Sequence, residues 1–394
     1  MIVADFRMNK IVYLTSAVLL ALSSCTNEIG EEGFVDKTNT ISFSAYANKT
    51  RAVNGDVTSE NMKNEGNGFG VVGYYNNSLY LGSTTKAVQQ IWKNNNWEYA
   101  LQSDLKFWPE GNMDFYAYFP YKHLKDQTEK GIATFSNSNN NSENVVMTIP
   151  DQECDHDVLF AKITSGYTGR VPLTFHHAFS KIQELNIKVN GGNVGDANVS
   201  VTVKKIEFIN TSTSGSVNVY KDGKASYDIA ASNVTLSKEF SSSVEISKAM
   251  TDGLNLISGT ENRYLFATNS SSSEENPVKG TAKSMWNGTK GALNGGKLSD
   301  SNFVCLKLTC KVKDSTHYLV GGEDSYGEVY IPLVGSDQNS NTVTELLAGK
   351  RYTYKIIFTH NVGFKDNGDP ILNPILFSVS EVKSWGDVQV TIEL

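Results

Sequence analysis

Alternation of apolar and polar residues with a period of two, in short runs broken by Asn, Ser and Gly, constrains this chain more than any other feature. It recurs in Ile41–Tyr46, Leu185–Val189, Val199–Val203, Ile206–Phe208 and Val388–Leu394. Successive side chains of an extended strand point to opposite faces, so each run predicts a β-strand. Phe115-Tyr-Ala-Tyr-Phe-Pro120 follows the same rule, with Phe115, Ala117 and Phe119 on one face, Tyr116 and Tyr118 on the other, and a proline stop. Gly68–Tyr75, Val158–Ile163, Lys238–Ser247, Val304–Val312, Val329–Leu333, Tyr352–Phe358 and Ile375–Val382 add further strands, and Trp92–Trp97 reads as a hairpin with aromatic flanks. Helical spacing is confined to Ser340–Leu347, ended by Gly349. The expected fold class is all-β.

A chain of 394 residues, 39% apolar and 20% charged, has globular composition and exceeds what one ordinary core supports. Two domains are expected, residues 38–164 and 165–394, with a mobile low-complexity loop at Asn269–Gly296. A formal charge of −7 leaves no basic excess to neutralise phosphates, which argues against a nucleic-acid partner.

Arg7 and Lys10 precede Ile11–Leu22, an apolar run too short to span a bilayer, and Met8 is an equally good start. The run ends in Leu22-Ser23-Ser24-Cys25, which resembles a bacterial lipobox. Residues 1–24 are therefore read as a lipoprotein signal peptide and Cys25 as the acylated residue. An ordinary cleaved signal with an accidental cysteine is the alternative. Acyl chains contribute ~0.8 kcal/mol per buried CH₂, so several would anchor the mature N-terminus in the outer membrane. Residues 25–37 form an acidic linker.

Ile41–Ala52, ISFSAYANKTRA, then places a strand between tether and body. Ile41, Phe43 and Ala45 form its apolar side. Arg51 closes the basic segment that follows, with Ala52 next. An arginine after a strand ordinarily just solubilises; its position here makes it a candidate processing site.

Catalytic and metal-binding patterns are weak. Gly68, Gly70 and Gly73 match GxGxxG, but they lie within a predicted strand that runs into a turn, not ahead of a helix. Glu153-Cys-Asp-His156-Asp157 gathers ligand types on adjacent positions that point apart, and a turn is the preferred reading. His176 and His177 likewise face opposite ways on a strand. No metal and no cofactor is expected. Cys305 and Cys310 cannot bridge within one strand, Cys310 falls in register with Val304, Leu306, Leu308 and Val312 as a core thiol, and a bridge from Cys154 to either remains open.

Phe115-Tyr-Ala-Tyr-Phe-Pro120, Asp157-Val-Leu-Phe-Ala161, Val171-Pro-Leu-Thr-Phe-His-His-Ala-Phe-Ser-Lys-Ile182, Leu347-Ala-Gly-Lys-Arg-Tyr-Thr-Tyr354 and Trp385 together resemble the fimbrillin-like pilin family in order and spacing. Phe179 stands where that family more often has Leu. The resemblance implies two tandem transthyretin-like β-sandwich domains with Greek-key-type antiparallel sheets. It implies export as an outer-membrane lipoprotein through Cys25, cleavage after Arg51, and assembly into a surface pilus by strand exchange with other pilin subunits. Ile41, Phe43 and Ala45 would then form a removable lead strand, and Val388, Val390 and Ile392 a candidate donor strand. A host protein or glycan would be the external ligand.

The competing expectation is a monomeric surface lipoprotein that binds glycans through residues such as Trp92 and Trp97. An enzyme would need His156, His176 or His177 to converge with carboxylates in a pocket.

Overall fold

The computed structural model describes residues 39–47, 58–64, 68–122, 133–137, 145–151, 157–167, 169–189, 199–211, 215–229, 234–258, 263–337, 340–358, 363–371, 381–382 and 387–393. Cys25, Arg51, Ala52, Cys154, His156, Trp385 and most of Ile375–Val382 lie outside them.

Strands dominate. In chain order the first are β1 (Ser42–Ala47), β2 (Phe69–Tyr75), β3 (Ser78–Leu81), β4 (Val88–Lys93), β5 (Asn96–Tyr99) and β6 (Met113–Phe119). Next come β7 (Thr134–Asn137), β8 (Val145–Asp151), β9 (Leu159–Ser165) and β10 (Arg170–His177). All but β7 and β8 belong to one eight-stranded sheet in the order β1-β10-β9-β6-β2-β4-β5, with β3 against β2. β6 lies at its centre, and both of its faces are apolar for that reason. Phe115, Ala117 and Phe119 enter one core with Phe43 and Phe69. Tyr116 and Tyr118 enter another with Phe160 and Phe179.

The glycines of the GxGxxG match have a packing explanation. A Cβ on Gly70 would lie 2.5 Å from the Tyr118 ring, and Gly68 sits at φ +77° beside the Gln90 backbone. Both make room for neighbouring strands. At the β4–β5 turn Asn94 and Asn95 adopt φ +51° and +59°, the left-handed geometry of a two-residue hairpin. Trp92 opposes Trp97 there, edge to face at 5.4 Å.

Beyond β10 follow β11 (Ser180–Val189), β12 (Val199–Thr211), β13 (Gly215–Val219), β14 (Ala225–Asp228), β15 (Val234–Ser247), β16 (Leu254–Ile257), β17 (Tyr264–Leu265) and β18 (Val278–Lys279). The remainder are β19 (Cys305–Asp314), β20 (His317–Val320), β21 (Gly327–Pro332), β22 (Gly335–Ser336), β23 (Thr342–Val343), β24 (Arg351–Phe358), β25 (Glu381–Val382) and β26 (Asp387–Glu393). One sheet runs β16-β11-β24-β26-β25 and another β15-β12-β19-β20, with β21 on β19. Their apolar faces share one core that includes Leu185, Val201, Leu308 and Ile356. The packing is sandwich-like. A fourth sheet, β18-β14-β13-β8-β7, joins early and late segments by pairing β8 with β13.

Two expectations are corrected. Ser340–Leu347 forms no helix. Thr342 and Val343 pair with Ser336 and Gly335, and the Asp337 carboxylate accepts from the Asn341 amide at 2.7 Å in the intervening turn. Leu346 then exchanges backbone and side-chain hydrogen bonds with Thr268, so its partners are distant in sequence, where a helix would have them four residues away. Asn269–Gly296 is likewise no free loop. Val278 and Trp286 are fully buried, and the Trp286 amide donates to the Val304 carbonyl at 2.9 Å. Trp286 meets Phe364 edge to face at 4.8 Å. Low-complexity residues surround the anchors, but the anchors decide the conformation.

Cys305 and Cys310 are buried and free. Burial pushes the Cys310 thiol up to about 12 and raises that of Cys305 as well, so both remain protonated core thiols at neutral pH.

Replacing Trp286 by Ala should destabilise the protein by ~3–5 kcal/mol, the range for large aromatics removed from a packed core. Denaturant unfolding measures it; a loss near zero would mean that the segment does not dock.

Candidate functional site

The sequence concentrates its unusual features around β1. Alternation carries Ile41, Phe43, Ala45 and Ala47 inward, where each is buried, and turns Tyr46 out at 56% exposure. Phe43 occupies an aromatic box, 5.5 Å from Phe115, 6.3 Å from Phe69 and 6.5 Å from Tyr99 between ring centres. Burying Ile41 and Phe43 contributes ~1.5–3 kcal/mol each.

β1 is an edge strand. It runs parallel to β10, with Phe43 opposite Val171, Ala45 opposite Leu173 and Ala47 opposite Phe175. Its outer edge is fastened near the ends. At the start, the Ile41 amide donates to the Lys106 carbonyl at 2.9 Å and the Tyr99 hydroxyl to the Ile41 carbonyl at 2.8 Å. Burial lifts the Tyr99 phenol well above its usual range, which keeps the proton this bond requires. At the far end the Ala47 amide donates to Ser59 Oγ at 2.9 Å. That contact joins described residues on either side of 48–57, the stretch of sequence that contains Arg51. Thr58 in turn caps the helical turn Asn61–Asn64, accepting from the Asn61 amide at 3.1 Å, and so fixes Ser59 in place.

The eight-stranded sheet curls until its two edges, β1 and β5, face each other. Tyr99 on β5 reaches β1, and Arg170 on β10 donates to Asn96 Oδ1 on β5 at 2.7 Å. Sequence reasoning did not find Ser59, Tyr99 or Lys106. The aromatic hairpin was the available signal for Tyr99, since a cross-strand Trp pair fixes which way its neighbours face.

The other candidates fall elsewhere. β26, which carries Val388, Val390 and Ile392, belongs to a different sheet and pairs parallel with β24, with these residues opposite Tyr352, Tyr354 and Ile356. His177 Nδ1 lies 2.7 Å from the Asp157 carboxylate with both side chains buried, a pair that ties the approach to β9 to the end of β10. His176 faces away against Phe160, its pKa lowered by burial and by His177. Among the described residues, no group of three His, Cys, Asp or Glu could hold a metal ion. Trp97 is buried against Phe69 at 4.9 Å, and Trp92 is half-buried beneath the Lys63 ammonium at 4.6 Å.

A protein-family model described as fimbrillin-like matches residues 50–385, a range bounded by β1 on one side and β26 on the other. No curated protein matches this chain. Among solved structures, a fimbrial protein from Bacteroides vulgatus ATCC 8482 aligns at 16% identity and a TM-score of 0.44, covering 90% of this chain and 99% of that one. A fimbrilin from Porphyromonas gingivalis W83 aligns at 12% identity and a TM-score of 0.34, covering 89% and 91%.

Exchanging Phe43 for Ala should cost ~3–5 kcal/mol in the uncleaved chain. Tyr46→Ala, on the exposed face, should stay within about 0.5 kcal/mol. Parallel denaturation curves decide the matter; equal losses at the two positions would contradict the burial pattern.

Proposed function

This chain belongs to the fimbrillin-like family and is a structural, adhesive subunit of a cell-surface pilus, not an enzyme; we propose that it enters the pilus by surrendering β1 and accepting a neighbour's strand in its place. The precursor is anchored in the outer membrane by acylated Cys25. Cleavage after Arg51 makes Ala52 the new N-terminus and severs Ile41, Phe43 and Ala45 from the body. The vacated edge of β10 then takes a strand from another subunit. Our candidate donor is β26, whose Val388, Val390 and Ile392 repeat the alternate apolar spacing of the lead strand. The proposed architecture is two tandem transthyretin-like sandwiches with Greek-key-type connections, residues 38–164 and 165–394. The β8–β13 and β1–β10 pairings cross that division.

One observation carries this reading. β1 fills an aromatic core, yet it is joined to its sheet through a single ladder and a few contacts near its ends. Removing such a strand opens an apolar groove bordered by the backbone donors and acceptors of β10. An extended segment with alternating apolar residues satisfies both. Exposed, the same edge would invite aggregation, which gives the precursor a reason to keep β1 until assembly.

Arg51→Ala should leave the chain full length on the cell surface, whereas the wild type should begin at Ala52 by N-terminal sequencing. Normal processing of the variant would defeat the assignment. Once the chain is cut, Tyr99→Phe and Ser59→Ala should speed departure of the lead peptide. Loss of one hydrogen bond, about 0.5–1.5 kcal/mol, corresponds to a several-fold rise in rate. Release of a fluorescently labelled lead segment measures it, and unchanged rates in both variants would remove these contacts from the mechanism.

A further inference from the structure

Between β1 and β5 the curled sheet leaves a cleft of about 190 Å³. Its floor is the outer edge of β1 at Phe43–Tyr46. Residues two apart on a strand turn their backbone groups the same way, and the Ile41 carbonyl and Ala47 amide both bond on this side. The backbone groups of Phe43 and Ala45 therefore turn toward the cleft. Half-buried Trp92, backed by the buried Trp97, gives the cleft an indole surface, and among the described residues Lys63 and Arg170 are the charged side chains of the lining, which include no carboxylate.

We propose that this cleft binds an acidic sugar, a single pyranose ring carrying a carboxylate, as a uronic acid does. Indole surface suits the apolar face of a pyranose. Ser44, Ser59 and the edge backbone supply donors and acceptors for ring hydroxyls. The anion is chosen by the two cations. Arg170 bonds the neutral Asn96 amide oxygen, and among the described residues no carboxylate pairs with it. Lys63 pairs with Glu60 at 2.7 Å, but that carboxylate is 75% exposed, and a solvated ion pair of this kind yields readily to a better-placed anion. The volume admits one ring, with a chain continuing into solvent. Four of the lining residues belong to β1, so the cleft is complete only while a strand holds that edge. This last consequence rests on the exchange mechanism above; binding to the uncut precursor does not.

The test uses the full-length chain, confirmed intact by mass, titrated with glucuronate, methyl glucuronide and glucose while tryptophan emission is followed. Saturable binding of glucuronate is expected, at least tenfold tighter than glucose, lost in Trp92→Ala and weakened at least tenfold in Lys63→Gln and in Arg170→Gln. Equal affinity for methyl glucuronide marks a chain-terminal residue as the ligand; preference for free glucuronate marks the monosaccharide. No saturable response, an equal response to glucose, or full affinity in the Lys63 and Arg170 variants overturns the assignment. Because the readout needs only uncut chain, its failure leaves strand exchange standing, and the reverse also holds.

Discussion

The seating of Phe43 between Phe69, Tyr99 and Phe115 is the interaction that completes the inner core of the eight-stranded sheet, and the proposed assembly depends on it. A curved sheet has an inner face that must be filled to its edges, and here the last element to fill it comes from the start of the folded body. The curl that brings β5 within reach of β1 leaves the two edges facing each other. Closing them by a ladder would fix β1 permanently. Instead, the Tyr99 hydroxyl, the Lys106 carbonyl and Ser59 hold the strand near its ends while hydrophobic burial supplies most of the affinity. The proposed exchange requires such a strand to be replaceable, and an edge ladder, which recognises spacing and backbone more than side-chain detail, permits that.

Under the proposed exchange, the remainder of the molecule would stay in place. β10, which receives β1, is bonded on its other side to β9, and the buried Asp157–His177 pair secures their junction. The aromatic core beyond the sheet, around Tyr118, Phe160 and Phe179, draws on β8, β13 and the Trp286-bearing half of the chain. Loss of one edge strand therefore leaves most of the fold's contacts in place. In the proposed assembly, cohesion would come from backbone pairing and apolar burial, and would need no catalytic chemistry.

Much of this was legible from alternation alone. Phe115–Phe119 declared a strand with two apolar faces, and it is the strand buried between two cores. Val199–Val203 and Ile206–Phe208 looked like two strands with a break. They are one strand, β12, whose register slips between Val203 and Lys205 and resets which residues face inward. The lead strand's apolar side was readable for the same reason. What could not be read were contacts made across long loops. Ser59 and Tyr99 are ordinary residues until the sheet curls, and local sequence carries no record of that closure. Ser340–Leu347 forms no helix because helical spacing in a short segment cannot compete with partners at Thr268 and Ser336. In the low-complexity segment, composition hides the few apolar anchors, Val278 and Trp286 among them, that decide its course.

The most direct test of the account is to stop β1 from leaving. Tyr46 and Thr174 face each other in register on the outer side of β1 and β10, so Tyr46→Cys with Thr174→Cys allows the strand to be tied down by oxidation without disturbing the core. Under oxidising conditions the chain should be cut after Arg51, retain its lead peptide and fail to polymerise; reduction should restore polymer. Pili of normal length from the oxidised, cross-linked subunit would contradict the claim that the edge of β10 is where a neighbour docks.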